Sequence, residues 1–343
     1  MCHHICPIGN ATGHERSTPR ARALGISLVN REAMELSEII DNIYECAGCG
    51  ACVRDCVTGW DPVMFTKEVR LQAALEDELP EYINTLVDNC LDSGNAYGKT
   101  AMCDTLAGAI AEHAAKTDTL LFLGADARYM ACKQAYKAIK VLESAGVEFT
   151  VLADEPSSGA QLDFLIGAAE ETKEQMQKAA NAMNGYKTVV FYDPADAKVV
   201  KQTYGEYGIE LECKAVTYTS FLADLVENGA LKAKNTGKTV VYQDPFQLAR
   251  DLEETEDARK VISAFATLHE MHLNRAETVW AGNILMAQYI PEVMKMVAAR
   301  RIFNAKSLGE SVIVTASVSE YVSLKSVEQN EVEILSLEDL ILA

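Results

Sequence analysis

The sequence predicts an α/β chain, with a helical, cysteine-rich N-terminal part followed by two α/β units built on parallel sheets. Three observations carry this prediction. Six of the ten cysteines fall in the first 56 residues, residues 61–116 repeat apolar side chains at three- and four-residue steps, and from 117 onward short apolar runs alternate with helical text.

The cysteines come first. The run Cys46-Ala-Gly-Cys49-Gly-Ala-Cys52-Val-Arg-Asp-Cys56 spaces its thiols by two, two and three residues. That is the bacterial ferredoxin spacing, in which a short turn wraps three thiolates around one face of a cubic iron-sulfur cluster while the fourth cysteine serves another cluster. A partner run must therefore exist, and Cys2-His-His-Ile-Cys6-Pro7 matches the end of one. The crossing rule assigns Cys6, Cys46, Cys49 and Cys52 to one 4Fe-4S cluster. Cys2 and Cys56 are left for a second cluster that is two thiolates short, so that it is absent, unusually ligated or completed by residues upstream of Met1. His3 and His4 are conceivable substitutes, because imidazole replaces thiolate in some clusters, although adjacent histidines near a terminus are more often solvated. Zinc is the alternative metal for C-x-x-C elements. Zinc sites rarely combine this spacing with a Cys-Pro 40 residues upstream.

Length and charge bound the rest. A chain of 343 residues holds two or three domains with cores of their own, which we place at 1–116, 117–236 and 237–343. With 31 basic and 50 acidic residues the net charge is −19, and no basic cluster offers the footprint a nucleic-acid partner needs. The longest apolar stretches, at 119–123 and 311–316, are strand-sized, whereas a membrane span needs about 20 residues. No signal-peptide apolar region opens the chain, and cysteines at cluster spacing fit a reducing cytoplasm. Cys90, Cys103, Cys132 and Cys213 stand alone and read as buried small residues or free thiols.

Each later element has its own signal. Helices are expected at 63–75, 79–92 and 101–116, with Ser93-Gly94-Asn95 as punctuation. A strand at 120–124 ends in glycine, a helix follows over 127–144, and a second strand runs over 147–152. A helix over 168–183 leads into a strand at 187–192. The alternation then repeats, with strands at 238–242 and 310–316 and helical text over 250–275 and 290–301. Both blocks carry an Asp-Pro after a strand, Asp193-Pro194 and Asp244-Pro245, which reads as an internal duplication.

Taken together, the chain resembles the iron-sulfur subunits of the glycolate oxidase, lactate utilisation and heterodisulfide reductase group, in which a ferredoxin-like segment precedes two cysteine-rich CCG domains. The resemblance rests on residues 6–13 (CPIGNATG), 18–22 (TPRAR), the cysteine run, 93–98 (SGNAYG), 122–124, 146–152 and 154–159 (DEPSSG). It also implies that chemistry has been lost from the C-terminal two-thirds. Where the group places its cysteine pair and glycine, this chain has Ser157-Ser158-Gly159. Ala125 stands in for the cysteine after the strand glycine, and those expected near 193–198 are absent. In the second copy the matching positions are Phe246, Trp280-Ala281-Gly282, Ser317 and Ser319. These residues do not ligate iron-sulfur clusters. Two degenerate CCG-type domains acting as a docking scaffold are therefore expected, with a partner segment seated in a cleft lined by Ser157, Ser158, Gly159, Trp280, Ala281 and Gly282.

No catalytic residue is assigned. The serines lack a Gly-x-Ser-x-Gly elbow, no nucleotide-binding glycine loop is present, and His269 and His272, three apart on text read as helical, are a weak metal pair. The resemblance implies an electron-transfer subunit that relays single electrons between a flavin-dependent dehydrogenase subunit and an acceptor such as an electron-transfer flavoprotein or a ferredoxin. The alternative is a non-redox assembly or regulatory subunit with a structural or oxidant-sensing cluster.

Overall fold

The structure, a computed structural model, describes residues 2–328 and 332–343, with side chains from His4 onward. The expected roles of the Cys2 and His3 side chains thus lie outside the described residues.

The N-terminal part is helical throughout. Its elements are Cys2–Ile5, Pro7–Thr12, Pro19–Val29, Leu36–Tyr44, Ala51–Arg54, Pro62–Leu75, Glu81–Ser93 and Asp104–Glu112. Local chemistry fixes their ends. Asp61 accepts from the N–H groups of Val63 and Met64 at 2.8 and 2.9 Å, and Pro62 occupies the first helical position, where a missing N–H costs nothing. The apolar faces meet in a core of Ile39, Ile43, Tyr44, Val69, Ile83 and Leu86, onto which Leu162 and Leu165 pack from the helix Ala160–Ile166.

Two parallel sheets follow. The first has β1 (Thr119–Phe122), β2 (Thr188–Phe191) and β3 (Lys214–Thr217) in the order β1-β2-β3. The second has β4 (Thr239–Gln243), β5 (Thr267–His269), β6 (Val312–Thr315) and β7 (Glu333–Ser336) in the order β5-β4-β6-β7. Thr150 bridges to Leu120 on the free side of β1. Counting that segment as a second strand, both sheets show the parallel order 2-1-3-4. One apolar core runs between them, joining Leu121, Val190 and Tyr192 to Val240, Tyr242, Phe265 and Val314.

Several sequence expectations need correction. Residues 147–152 form a single bridge, Thr150 to Leu120, rather than a strand, and Val151 on the side away from β1 gives its N–H to His113 O at 2.9 Å. The helical text over 250–275 breaks into a π-helical turn Gln247–Asp251, a helix Asp257–Phe265 and β5, since pairing with β4 outweighs local helical pattern. His269 therefore sits on a strand, 2.6 Å from Glu310, and not on a helix face with His272. The expected helix 127–144 is two, Ala125–Met130 and Cys132–Ser144, divided at Ala131. The Asp-Pro motifs do not occupy matching places either. Asp193-Pro194 follows β2, the third strand of its copy, whereas Asp244-Pro245 follows β4, the first of its copy. Cys103 and Cys132, read as isolated thiols, form a disulfide.

Candidate iron-sulfur centre

Four of the six N-terminal cysteines converge. Cys6, Cys46, Cys49 and Cys52 are each 7–8 % exposed and line one small cavity with Pro7, Ile8, Arg22, Gly48 and Gly50. The loop can wrap because Gly48 (φ 64°) and Gly50 (φ 70°) take the left-handed conformation that side-chain-bearing residues avoid. Cys6 arrives from the other side as the N-cap of Pro7–Thr12, its sulfur accepting from Gly9 N at 3.5 Å. Gly48 N likewise donates to Cys46 Sγ at 3.4 Å. Among the described residues no three of His, Cys, Asp or Glu close around a single metal ion. The thiols stand around a space rather than a point.

Three arginines answer the thiols' charge. Burial raises Cys46, yet the Arg22 and Arg70 guanidiniums, with the Gly48 N–H, carry it below its ordinary value. Burial pushes Cys49 up to about 11 against the opposing pull of Arg250. Cys6 and Cys52 are likewise raised by burial, and Arg22 opposes both. The same side chains lock the loop in place. Arg70 donates to Cys46 O at 2.7 Å and to Phe164 O at 2.7 Å, and Arg250 donates to Cys49 O and Thr278 O, both at 2.7 Å. The loop is thereby tied to both α/β units. Sequence reasoning missed these arginines, although Arg22 lies inside the 18–22 motif.

The remaining expected ligands lie elsewhere. Cys56 sits half-buried outside the thiol group, its Sγ 3.2 Å from Thr58 Oγ1, and hydrogen bonds from Thr58 lower its pKa. His4 is exposed and 3.7 Å from Asp55.

On the far side of the loop lies a second, larger cavity. Ala125 and Asp126 after β1, Asp193 and Asp196 after β2, Phe246 and Gln247 after β4, and Ser319 after β6 all line it, so it opens at the carboxyl ends of the central strands of both sheets. Open α/β sheets bind their ligands at such edges. Its walls are carboxylate-rich. Burial, then the nearby Asp126 charge, raises Asp193 to about 7, and burial with the Asp193 charge holds Asp196 well above the carboxylate range. Ser158 donates to Asp196, and Ser319 donates to Asp126 from across the cavity. No histidine is among the lining residues.

The expected cleft is half right. Ser157 and Ser158 line the cavity, but Gly159, Trp280, Ala281 and Gly282 do not. Trp280 packs instead beneath the thiol loop with Cys6, Ala47, Cys49 and Phe246, while Ala281 is buried under the second sheet. A large apolar ring leaves the solvent-lined wall whenever a drier contact is available.

This thiol nest, buried on a helical segment ahead of two parallel-sheet units, defines an iron-sulfur electron-transfer subunit. Comparison with known proteins agrees and narrows the class. A family model described as a 4Fe-4S dicluster domain matches residues 1–60, so the chain carries that domain. The chain is similar to the D subunit of the dihydromethanophenazine:CoB–CoM heterodisulfide reductase of Methanosarcina acetivorans, 26% identical over 296 residues, which are 82% of this chain and 72% of that one. The counterpart in Methanosarcina barkeri is 26% identical over 258 residues, 71% of this chain and 62% of its own length. The B subunit of the fumarate reductase (CoM/CoB) of Methanothermobacter marburgensis is 20% identical over 177 residues, 52% of this chain and 35% of that protein. Among the described residues no helix is long and apolar enough to cross a membrane.

Proposed function

We propose that Cys6, Cys46, Cys49 and Cys52 ligate one 4Fe-4S cluster, through which the chain relays single electrons between a flavin-dependent dehydrogenase subunit and an acceptor such as an electron-transfer flavoprotein or a ferredoxin. The observation that carries this reading is the convergence of four buried thiols on one cavity with Arg22 facing them. When bound, the cluster supplies the one-electron redox step. The chain supplies the rest. Backbone N–H groups of Gly9 and Gly48 point at sulfur, the buried arginines offset thiolate charge, and the Arg70 and Arg250 ties keep the loop from rearranging as charge changes.

The flavin partner is what the resemblance to the glycolate oxidase, lactate utilisation and heterodisulfide reductase group implies, and this chain offers no nucleotide-binding glycine loop of its own. Residues 117–236 and 237–343 then act as two degenerate CCG-like domains that dock partners, in a cytoplasmic complex. Cys2 and Cys56 share a second cluster only where further ligands come from other residues or a partner chain, because two thiolates are too few for a cubane.

Iron and sulfide content with low-temperature EPR on anaerobic protein tests the reading. About four irons per chain are expected for one cluster, and about eight for two. Cys49→Ala should lose iron and the visible cluster absorbance. Full iron retention in that variant rejects the ligand assignment.

A further inference from the structure

Outside the thiol nest, the described residues hold a second sulfur pair. Cys103 and Cys132 form a disulfide with Cα atoms 6.2 Å apart, while seven other described cysteines remain free thiols. Their placement is specific. Cys103 is the N-cap of the nine-residue helix Asp104–Glu112, and Cys132 is the first residue of the thirteen-residue helix Cys132–Ser144. Each helix N-terminus carries roughly half a positive charge from its unpaired N–H groups, and thiols placed there are acidified. Stabilising the thiolates stabilises the reduced form, which makes a disulfide easier to reduce. Both cysteines are half-buried, and Ala101, Asp104, Thr105 and Lys133 around them are exposed, so a thiol reagent has access. A reducing compartment, which the cluster reading of the nest requires, leaves disulfides mainly as transient, catalytic or sensing bonds.

We propose that Cys103–Cys132 is a redox-active pair that exchanges two electrons with a dithiol, either a small molecule or a protein. The two sulfurs are not equivalent. Cys132 is followed by Lys133, whereas Cys103 is followed by Asp104, whose carboxylate opposes a neighbouring thiolate. Cys132 is thus the better leaving group. A thiolate of the reductant attacks Cys103 Sγ, forming a mixed disulfide and expelling the Cys132 thiolate, which takes up a proton. The reductant's second thiolate then attacks its own bound sulfur and releases Cys103 as thiolate, which is protonated in turn. The dithiol leaves as its disulfide, having given two electrons and two protons. Thr105 Oγ1, 3.4 Å from Cys103 Sγ, is placed to donate to the Cys103 thiolate as it is released.

Opening the pair also releases a tether. The bond closes a segment containing β1 and the helix Ala125–Met130, whose Arg128 and Tyr129 line the large cavity. The pair itself packs against the edge of the core.

The test uses the full chain with its cluster, kept anaerobic and never denatured. The protein is exposed to reduced dithiothreitol, or to a reduced thioredoxin as a protein dithiol, then trapped with a mass-tagged alkylating reagent and mapped by peptide mass spectrometry. Cys103 and Cys132 should become tagged together only after reductant is added, and revert to untagged on treatment with oxidised dithiothreitol, with iron and sulfide content unchanged. Tagging only after unfolding shows a structural bond, and tagging without reductant shows that no bond exists; either result overturns the proposal. Iron content is read separately, so failure of the cluster reading is not confused with failure of this one. As a second measurement, Cys103→Ser frees Cys132, which should alkylate about tenfold faster than Cys213, a half-buried thiol that burial raises. Equal or slower alkylation removes the basis for the leaving-group assignment.

Discussion

The two cavities share a wall of Cys46, Ala47, Gly48 and Val63, yet they surround their buried ionisable groups with different neighbours. On one side, thiols face the guanidiniums of Arg22, Arg70 and Arg250. On the other, Asp126, Asp193 and Asp196 face one another, and Arg128, which lines the same cavity, lies 3.7 Å from Glu155 and spends its terminal nitrogens on Leu152 O and Ala153 O. Burial raises the pKa on both sides, but only where countercharge is supplied does a group fall below its ordinary value, as Cys46 does and Asp193 does not. Of the four thiols only Cys46 gains enough countercharge to fall, while Cys6, Cys49 and Cys52 stay raised by burial, as Asp193 and Asp196 do across the wall.

The largest effect should come from removing a countercharge. Arg22 is buried against Cys6, Cys46 and Cys52, and deleting one partner of a buried charge group costs about 3–5 kcal/mol. Arg22→Gln should therefore lower the reduction potential of the cluster and speed its loss to oxygen, because the more negative state loses its compensation. Potentiometry and iron release in air measure both. Unchanged behaviour would mean that the arginine is only a packing element, and the contrast between the cavities would lose its electrostatic meaning.

A smaller effect concerns pH. Asp193 at about 7, Asp251 at about 6, Glu320 at about 8 and Glu338 at about 7 are all lifted above their ordinary values by burial first. Between roughly pH 4 and pH 8 the folded chain thus binds more protons than the unfolded one, and the stability present at the low end is lost as pH rises through the folded values. The thermal midpoint should be lower at pH 8.5 than at pH 6. Asp193→Asn keeps the cap on Ala195 N, because asparagine caps as well as aspartate. It should flatten the pH slope and raise the midpoint at pH 8.5 by roughly 2–4 °C. A midpoint that climbs with pH would show that the carboxylates are charged and compensated after all.

The thiol nest was legible because three of its four cysteines, Cys46, Cys49 and Cys52, are local in sequence, and cluster spacing is a constraint on a short turn. β1, β2, β4 and β6 were legible for a related reason: a strand buried on both faces reads as a continuous apolar run, as in Leu120-Leu121-Phe122 or Ile313-Val314. Edge strands give no such run. β3 and β7 expose Lys214 and Glu333 and gave no strand signal, and β5, exposing Thr267 and His269, lay within text read as helical, so the common 2-1-3-4 order could not be seen and the Asp-Pro motifs suggested a false alignment. The arginines of the nest were illegible because helix text cannot say which Arg turns inward. The Cys103–Cys132 bond joins two helices 29 residues apart and exists only through tertiary packing.

The smallest effect belongs to the serines. Ser158 donates to Asp196 and receives a hydrogen bond at its carbonyl from the Tyr204 hydroxyl at 2.9 Å, while Ser157 Oγ accepts from Gly159 N at 3.2 Å. Each hydroxyl thus has a structural partner, and neither has a histidine to take its proton. A serine facing a carboxylate that holds its own proton is a poor nucleophile, because the carboxylic acid is no base. Replacing Ser157 and Ser158 together by alanine removes three local hydrogen bonds, including that from Ala160 N to Ser158 Oγ, about 1 kcal/mol each, and should leave iron content unchanged and turnover within a few fold. A loss beyond about a hundredfold, near 2.7 kcal/mol, with the cluster intact would make the cavity side a reaction site rather than a proton-holding scaffold.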